Sequence, residues 1–327
     1  MKKINAAIIG FGIGQKHFEA IHNYKKARVT IICEKNLNKI AFLKRKLPNI
    51  KITNNENEIF LNKEINLVSI ASYDDDHYHQ ILKCIKNRKN IIVEKPMCLT
   101  LSQLRHLKKL LLNSDLKITS NLVLRVNDLF MNIKKKVMKE KIFYIEADYL
   151  WGRRSKLFGW RSNIDNYSLI LGAGIHVIDL VMWLLKKRPH SVYAVANNIV
   201  TSTTTFKKNS MALIVLEFPG NIIAKITANA VAIHEHFHEI KVFTNNKTIN
   251  NTLNGSFTFT KDTSKKNKYS YPDKTNRKKL IQNFLDCIAN NKIKAIISKK
   301  EQFDLMSVCF AAEDSIKKNK KIKIKYI

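Results

Sequence analysis

Apolar and polar positions alternate in two regimes along this chain. Over roughly the first 120 residues, short apolar runs of strand length are separated by stretches with helical periodicity. Ile4 to Ile9, Val29 to Cys33, Leu67 to Ala71, Asn90 to Val93 and Lys117 to Ser120 read as strands. Residues 13–25, 36–46, 76–87 and 100–113 read as helices, the second ending before Pro48. Strands this apolar, alternating with helices, predict a parallel sheet covered on both faces. After about residue 125 the period changes. A helix is expected over 127–139, a strand over Ile142 to Leu150, a loop over 151–167 and an apolar helix over 174–186. Long alternating runs follow at 191–200, 209–218, 221–232 and 238–250, the signature of an antiparallel sheet with one open face. Two helices, near 276–290 and 299–318, close the chain. The polar stretch Lys261 to Asn276 reads as a linker or loop, and no internal repeat is present.

Composition narrows the class. The 327 residues are 45% apolar and 26% charged, enough for full cores and against wholesale disorder. No apolar run reaches the roughly 18 residues of a membrane span. The N-terminus lacks the apolar stretch of a signal peptide, so a cytoplasmic protein with no membrane partner is expected. Cys33, Cys84, Cys98, Cys287 and Cys309 are odd in number and form no C-x-x-C pair; buried thiols in a reducing compartment are expected. The net charge of +32 is spread along the whole chain alongside abundant Asn and Ile. That bias fits drift in an AT-rich coding sequence better than a nucleic-acid-binding arm, and no specific nucleic-acid partner is expected.

Three motifs carry candidate chemistry. Gly10-Phe11-Gly12-Ile13-Gly14 joins the first strand to the first helix, where glycines let a pyrophosphate approach a helix N-terminus. The spacing G-x-G-x-G is one residue shorter than the usual dinucleotide fingerprint. Glu34 ends the second strand about 20 residues on, where a carboxylate accepts the ribose diol and repels a 2′-phosphate; this favours NAD over NADP, with Lys35 pulling the other way. Glu94-Lys95-Pro96 stands at the carboxyl end of a strand, the ligand-binding edge of open α/β sheets. An exposed ion pair is the plain reading of such a dipeptide. A lysine there also suits stabilisation of a developing alkoxide. Gly172 to Asp179 opens the apolar helix and puts His176 and Asp179 three apart on one face. His176 reads either as a half-buried helix histidine or as a general base.

Two further clusters carry less. His234, His236 and His238 alternate, as on one side of a strand, without the convergence a metal site needs, and no metal is expected. Asp74-Asp75-Asp76 precedes a helix and suits N-capping.

The glycine turn with Gln15-Lys16-His17, Ala71-Ser72 with His77, Glu94-Lys95-Pro96, Trp160-Arg161 and Gly174-Ile175-His176-Val177-Ile178-Asp179 occur in the order and spacing of a known family. Together they resemble the Gfo/Idh/MocA oxidoreductases. Ser307 to Lys320 resembles that family's closing helix, so the likeness covers nearly the whole chain. The resemblance implies an α/β Rossmann domain over 1–122 that binds NAD. It also implies an α+β substrate-binding and oligomerisation domain over 123–327, with a large open-faced, mostly antiparallel sheet. The C-terminal helix of that second domain is able to pack back on the first.

Lys95 and His176 would be the catalytic pair, serving one substrate oxygen. Gly10, Phe11, Gly12, Ile13, Gly14, Glu34, Ser72, His77, Glu94, Lys95, Trp160 and Arg161 would line the cofactor. Lys95, Arg153, Arg154, Asp179 and His176 would meet the substrate, the arginines holding an anionic group. The implied reaction exchanges a hydride between NAD and a secondary alcohol of a sugar, polyol or nucleotide sugar, in a homodimer or homotetramer. An NAD-using lyase or glycosidase of the same fold is the alternative, followed by an inert NAD-binding sensor or nucleic-acid-binding protein.

Departures from the family pattern are Gly172, where many members carry aspartate four residues before the histidine, and Ser72-Tyr73 in place of threonine-proline. Asn245 and Asn246 fall in a turn that usually holds glycine.

Overall fold

The computed structural model describes residues 3–267 and 276–327. The chain divides into two compact units, one of Met1–Val123 with Thr275–Gln302 and one of Leu124–Lys274 with Phe303–Ile327. Part of the expected linker, residues 268–275, lies outside the described residues.

In the first unit, β1 (Ile4–Ile9), α1 (Gly14–His22), β2 (Ala27–Cys33), α2 (Leu37–Lys46), β3 (Lys51–Thr53), α3 (Asn57–Phe60), β4 (Leu67–Ile70), α4 (His77–Lys86), β5 (Asn90–Val93), α5 (Leu101–Leu112) and β6 (Ile118–Ser120) follow in order. Six parallel strands align as β3-β2-β1-β4-β5-β6. The order reverses beside β1, which opens a crevice at the carboxyl ends of β1 and β4, as in Rossmann sheets. β4 is buried throughout, as a strand covered on both faces must be. Ile281, Phe284 and Leu285 of the helix Asn276–Ala289 join Ile4, Ile8, Val29 and Ile32 in one apolar core.

Local signals start the helices where the pattern expects them. Asn36 accepts from the Lys39 amide, and Thr100 forms a reciprocal capping box with Gln103. The aspartate run behaves otherwise. Asp76 precedes α4 without capping it, and its carboxylate instead takes the Lys35 ammonium at 3.0 Å. The strand β3 and the helix α3 were not expected; runs of three and four residues are too short to show a period.

In the second unit, α6 (Asp128–Val137), β7 (Ile142–Leu150), α7 (Ile175–Leu185), β8 (Ser191–Asn197), β9 (Met211–Phe218), β10 (Ile222–Asn229), β11 (Phe237–Thr244), β12 (Thr248–Thr252), β13 (Gly255–Phe259), β14 (Ser264–Lys266) and β15 (Ile322–Lys323) build a nine-stranded sheet with its helices. Its order is β14-β13-β12-β11-β7-β10-β9-β8-β15. Every pair is antiparallel except β7 with β10.

The alternating burial of β9 and β10 gives the sheet one buried face and one partly exposed face. The partly exposed face carries Lys225 on Asp148 at 3.1 Å and Lys241 on Glu146 at 3.3 Å. The expected single run at 238–250 is a hairpin of β11 and β12. Thr244 turns it, its hydroxyl accepting the Lys247 amide and donating to the Lys247 carbonyl. Neither Asn245 nor Asn246 has a positive φ, so this turn makes no demand for glycine. The strands β13, β14 and β15 were also missed; β14 is exposed at every position and shows no buried face.

Candidate functional site

The first unit gathers its polar residues at the carboxyl ends of its strands. Gly10 leaves β1 with φ +83°, and a Cβ there would lie 2.5 Å from the Ala71 carbonyl oxygen. Only glycine lets the turn pass so close to the end of β4. A Cβ on Gly12 would meet nothing, so this turn is open to a ligand. No side chain caps α1, and its first turn holds no acidic residue, which leaves that end receptive to an anion. Glu34 accepts the amides of Phe11 at 3.0 Å, Lys35 at 2.9 Å and Asn36 at 3.0 Å. Its carboxylate is thereby fixed against the glycine turn. A pyrophosphate beside Gly12 and a ribose diol beside Glu34 fit these groups. Ile13 is exposed, and Gly14 packs against Ile8.

Behind the turn lies a buried polar network. His17 in α1 joins Ser69 at 2.7 Å through Nδ1 and Glu94 at 3.0 Å through Nε2. Asn121, just past β6, donates to the same Glu94 oxygen at 2.5 Å, and Arg277 lies 3.6 Å away. Burial opposes ionisation of Glu94. The His17 hydrogen bond, the Arg277 charge and Asn121 outweigh it and hold the carboxyl well below the ordinary range. Glu94 is thus fastened from three sides, and Lys95 follows it half-buried at the strand end, joined to Pro96 by a cis peptide. His77 links the Pro96 and Ser72 carbonyls at 2.7 and 3.3 Å, while the Ser72 hydroxyl donates to Gln80 at 2.6 Å. His77 therefore ties two loops of the crevice together. In the sequence His17 stands only within the glycine-turn motif, and Asn121 and Arg277 lie outside every motif. Asn121 stands at a strand's carboxyl end, where position alone would have flagged it.

The second unit gathers aromatic and imidazole rings. Across residues 169–181, His176 is the one position that is not buried. Tyr149 of β7 lies parallel to its imidazole at 7°, with centroids 5.8 Å apart. His238 meets Tyr149 edge-on at 4.8 Å and lies 6.2 Å from His176; His236 lies 4.8 Å from His238. Burial, with Arg153 adding like charge, holds His236 down to about 4; burial and the neighbouring histidines and Arg153 hold His238 well below its ordinary value. Burial pushes the Tyr149 phenol up.

The three histidines do not share a strand, contrary to expectation. His234 and His236 precede β11, His234 is exposed, and only His238 is within the strand and buried. The cause is the loop at Gly152. Its φ is +56°, and a Cβ there would lie 2.1 Å from the His234 carbonyl oxygen, so the backbone of 234–236 closes over it. No group of three or more metal-ligating side chains occurs among the described residues.

Arg153 and Arg154 are exposed on the loop after β7, and Arg154 reaches the Val200 carbonyl at 3.4 Å. Arg161 lies over Trp160 at 4.1 Å and Trp151 at 5.2 Å, the stacked mode in which a guanidinium keeps its edge donors available. Asp179 is 1% exposed and takes Arg125 at 2.7 Å. Its carboxylate is therefore committed to Arg125 inside the unit. All five cysteines are free and buried. No helix among the described residues is long and apolar enough to cross a membrane.

Comparison with known proteins follows this division. The chain is 24% identical over 197 residues to the oxidoreductase YhhX of Escherichia coli (strain K12), covering 58% of this chain and 56% of that protein. It is 21% identical over 230 residues to the 2,7-anhydro-N-acetylneuraminate hydratase of the same organism, covering 68% and 61%. The matched part thus spans little more than half the length of these curated relatives. Among solved structures, myo-inositol 2-dehydrogenase from Lactobacillus plantarum superposes with a TM-score of 0.84 at 18% identity, over 99% of this chain and 100% of that one. The scyllo-inositol dehydrogenase from Lactobacillus casei with bound NAD(H) and scyllo-inositol gives 0.81 at 17% identity, over 98% and 99%. An oxidoreductase from Agrobacterium radiobacter in complex with NAD+, L-tartaric acid and magnesium gives 0.85 at 13%, over 98% of each chain. The family's NAD-binding Rossmann model matches residues 4–122 and its C-terminal domain model residues 140–250. Two models in the family's own order, on two units with the matching sheets, lead to one conclusion: the chain belongs to the Gfo/Idh/MocA oxidoreductase family.

Proposed function

We propose that the protein is an NAD-dependent dehydrogenase of a secondary alcohol on a sugar, polyol or nucleotide sugar. The observation that carries the reading is His176, the one imidazole left half-exposed on a segment otherwise buried from 169 to 181. A histidine held there by burial alone would be enclosed like its neighbours. When bound, NAD supplies the hydride acceptor. Lys95 donates a hydrogen bond to the substrate oxygen and stabilises its developing negative charge. His176 accepts the hydroxyl proton. Glu94, fixed by His17 and Asn121, holds the strand end that carries Lys95. Glu34 selects the ribose diol of NAD over the 2′-phosphate of NADP. Gly10 to Gly14 seat the pyrophosphate, with Ser72 and His77 shaping the crevice and Trp160 and Arg161 serving the nicotinamide end. Arg153 and Arg154, exposed and cationic, suit a carboxylate or phosphate on the substrate.

A second reading, elimination or hydration with NAD used transiently, is favoured by the likeness to a protein named as a hydratase. The test is a panel of inositols, uronic acids and nucleotide sugars incubated with NAD. Net NADH absorbance on a panel member supports the dehydrogenase. Substrate consumption with retained cofactor and no net NADH supports the second reading.

The partly exposed sheet face leaves Tyr193, Val195 and Ile223 at 41, 39 and 45% exposure. This face is the surface through which we expect a homodimer or homotetramer to form. A mass independent of concentration and equal to one chain, measured by light scattering, would count against it.

A further inference from the structure

Gly172 lies in the π turn Ile170–Gly174 that leads into α7. It stands four positions before His176, and residues so spaced lie along one face of a helix. The space beside Gly172 is not empty. A Cβ built there would stand 2.3 Å from the Tyr167 hydroxyl oxygen and 2.7 Å from its Cζ. The phenol thus fills the volume that any side chain at 172 would need. Its approach is fixed from several sides. The Tyr167 ring is 5% exposed and packs edge-on against Phe206, at 79° with centroids 5.6 Å apart. The Tyr167 amide donates to the Ile164 carbonyl at 3.1 Å. Ser168 beside it accepts the Leu171 amide at 3.1 Å and donates its hydroxyl to Glu313. Packing alone would be served as well by phenylalanine, which carries no hydroxyl to desolvate.

We propose that Tyr167 is a positioning residue for His176: its hydroxyl, seated in the notch of Gly172, sets the orientation and basicity of the imidazole through one bridging water. The biochemical importance of this contact rests on the reading of His176 as the proton acceptor. Groups that face His176 include Tyr149 from β7 and His238 from β11, with His236 beside it and the Arg153 charge acting on those two histidines. One turn further along α7, Asp179 is neutralised by Arg125. A change at Tyr167 leaves all of these in place.

The test follows the His176 imidazole by NMR through a pH titration of the full-length protein, its resonance assigned by loss in His176→Asn. Tyr167→Phe keeps the ring and its Phe206 contact and removes only the hydroxyl. The midpoint of His176 is expected to move by about half a pH unit or more. Gly172→Ala, which forces the phenol out of its notch, is expected to move it in the same direction. An unchanged midpoint in Tyr167→Phe overturns the proposal, whatever happens in Gly172→Ala, because the effect then belongs to helix packing. Failure of the function reading looks different: the His176 midpoint moves in Tyr167→Phe, yet His176→Ala turns over the panel substrate as fast as the unmodified protein.

Discussion

The two units treat polar side chains in opposite ways. In the first, His17, Glu94 and Asn121 are buried and hydrogen-bonded to one another, so a charged carboxylate is locked under a strand end. In the second, the imidazoles of His236 and His238 are kept neutral by burial and by positive charge, beside a loop of exposed arginines. The network around Glu94 stabilises ionisation, and the ring cluster of the second unit suppresses it. Under the proposed function, that difference would separate two tasks: a rigid, preorganised frame for cofactor and lysine, and a ring cluster around the proposed base.

The sharpest way to break this division is to remove the chemistry of each side in turn. Lys95→Ala is expected to lower turnover on the order of 10³-fold while NAD binding, read by fluorescence quenching, stays within about twofold. His176→Ala is expected to lose on the order of 10²-fold near neutral pH and less at alkaline pH, where hydroxide partly replaces the base. Equal losses at both pH values would remove His176 from the proton step.

Stability comes next. Arg125→Leu removes the guanidinium from the buried Asp179 carboxylate, and should destabilise the second unit by about 3–5 kcal/mol in denaturant unfolding. Arg125→Leu with Asp179→Leu should recover much of that. If the double variant is no better than the single one, the pair is not acting as a buried ion pair.

Smaller effects sharpen the contrast. Glu34→Ala should reduce the ratio of NAD to NADP affinity by about tenfold, measured by titrating both cofactors. Equal affinity for both in the unmodified protein would sink the assignment of Glu34.

A further expectation concerns acid. The unfolded chain protonates His236 below 6.5, whereas the folded one resists until about 4. Stability in the second unit therefore erodes as pH falls across that interval. Glu94 is held below its ordinary 4.5, so its contribution is intact above that value and is lost only as pH falls through the lower folded value. Hydrogen exchange, corrected for intrinsic rate, should loosen around β11 before it loosens around β5.

How much of this was legible in the sequence depended on the kind of signal. β1, β5 and β7 were read to the residue, because a strand buried on one or both faces writes a clear apolar pattern. The placing of Glu34 beside the glycine turn follows from where β1 and β2 end. Short or exposed pieces such as β3 and β14 write no pattern. The run at 238–250 was read as one strand because the β11–β12 turn is made by Thr244 and needs no glycine. The ring cluster around His176 was illegible because Tyr149 and His238 come from strands far apart in sequence. Their meeting depends on the pairing of β7 with β11. Asp179 shows the limit of helical spacing. Its face was inferred, but its partner Arg125 lies 54 positions away and nothing in the local pattern announces it.

The interleaving of the units along the chain has a consequence for biosynthesis. Residues 124–274 are inserted within the first unit, whose apolar core waits for Ile281, Phe284 and Leu285. The second unit's β8 in turn waits for Ile322 and Lys323 to pair with its edge. A nascent chain leaving the ribosome therefore exposes unfinished apolar surface from the first unit throughout translation of the second. The first sheet has all its strands by Ser120 but lacks its covering helix, and the second sheet stays incomplete until β15 emerges. Chaperone dependence during synthesis, and loss of both units on truncation near residue 270, follow from that chain order.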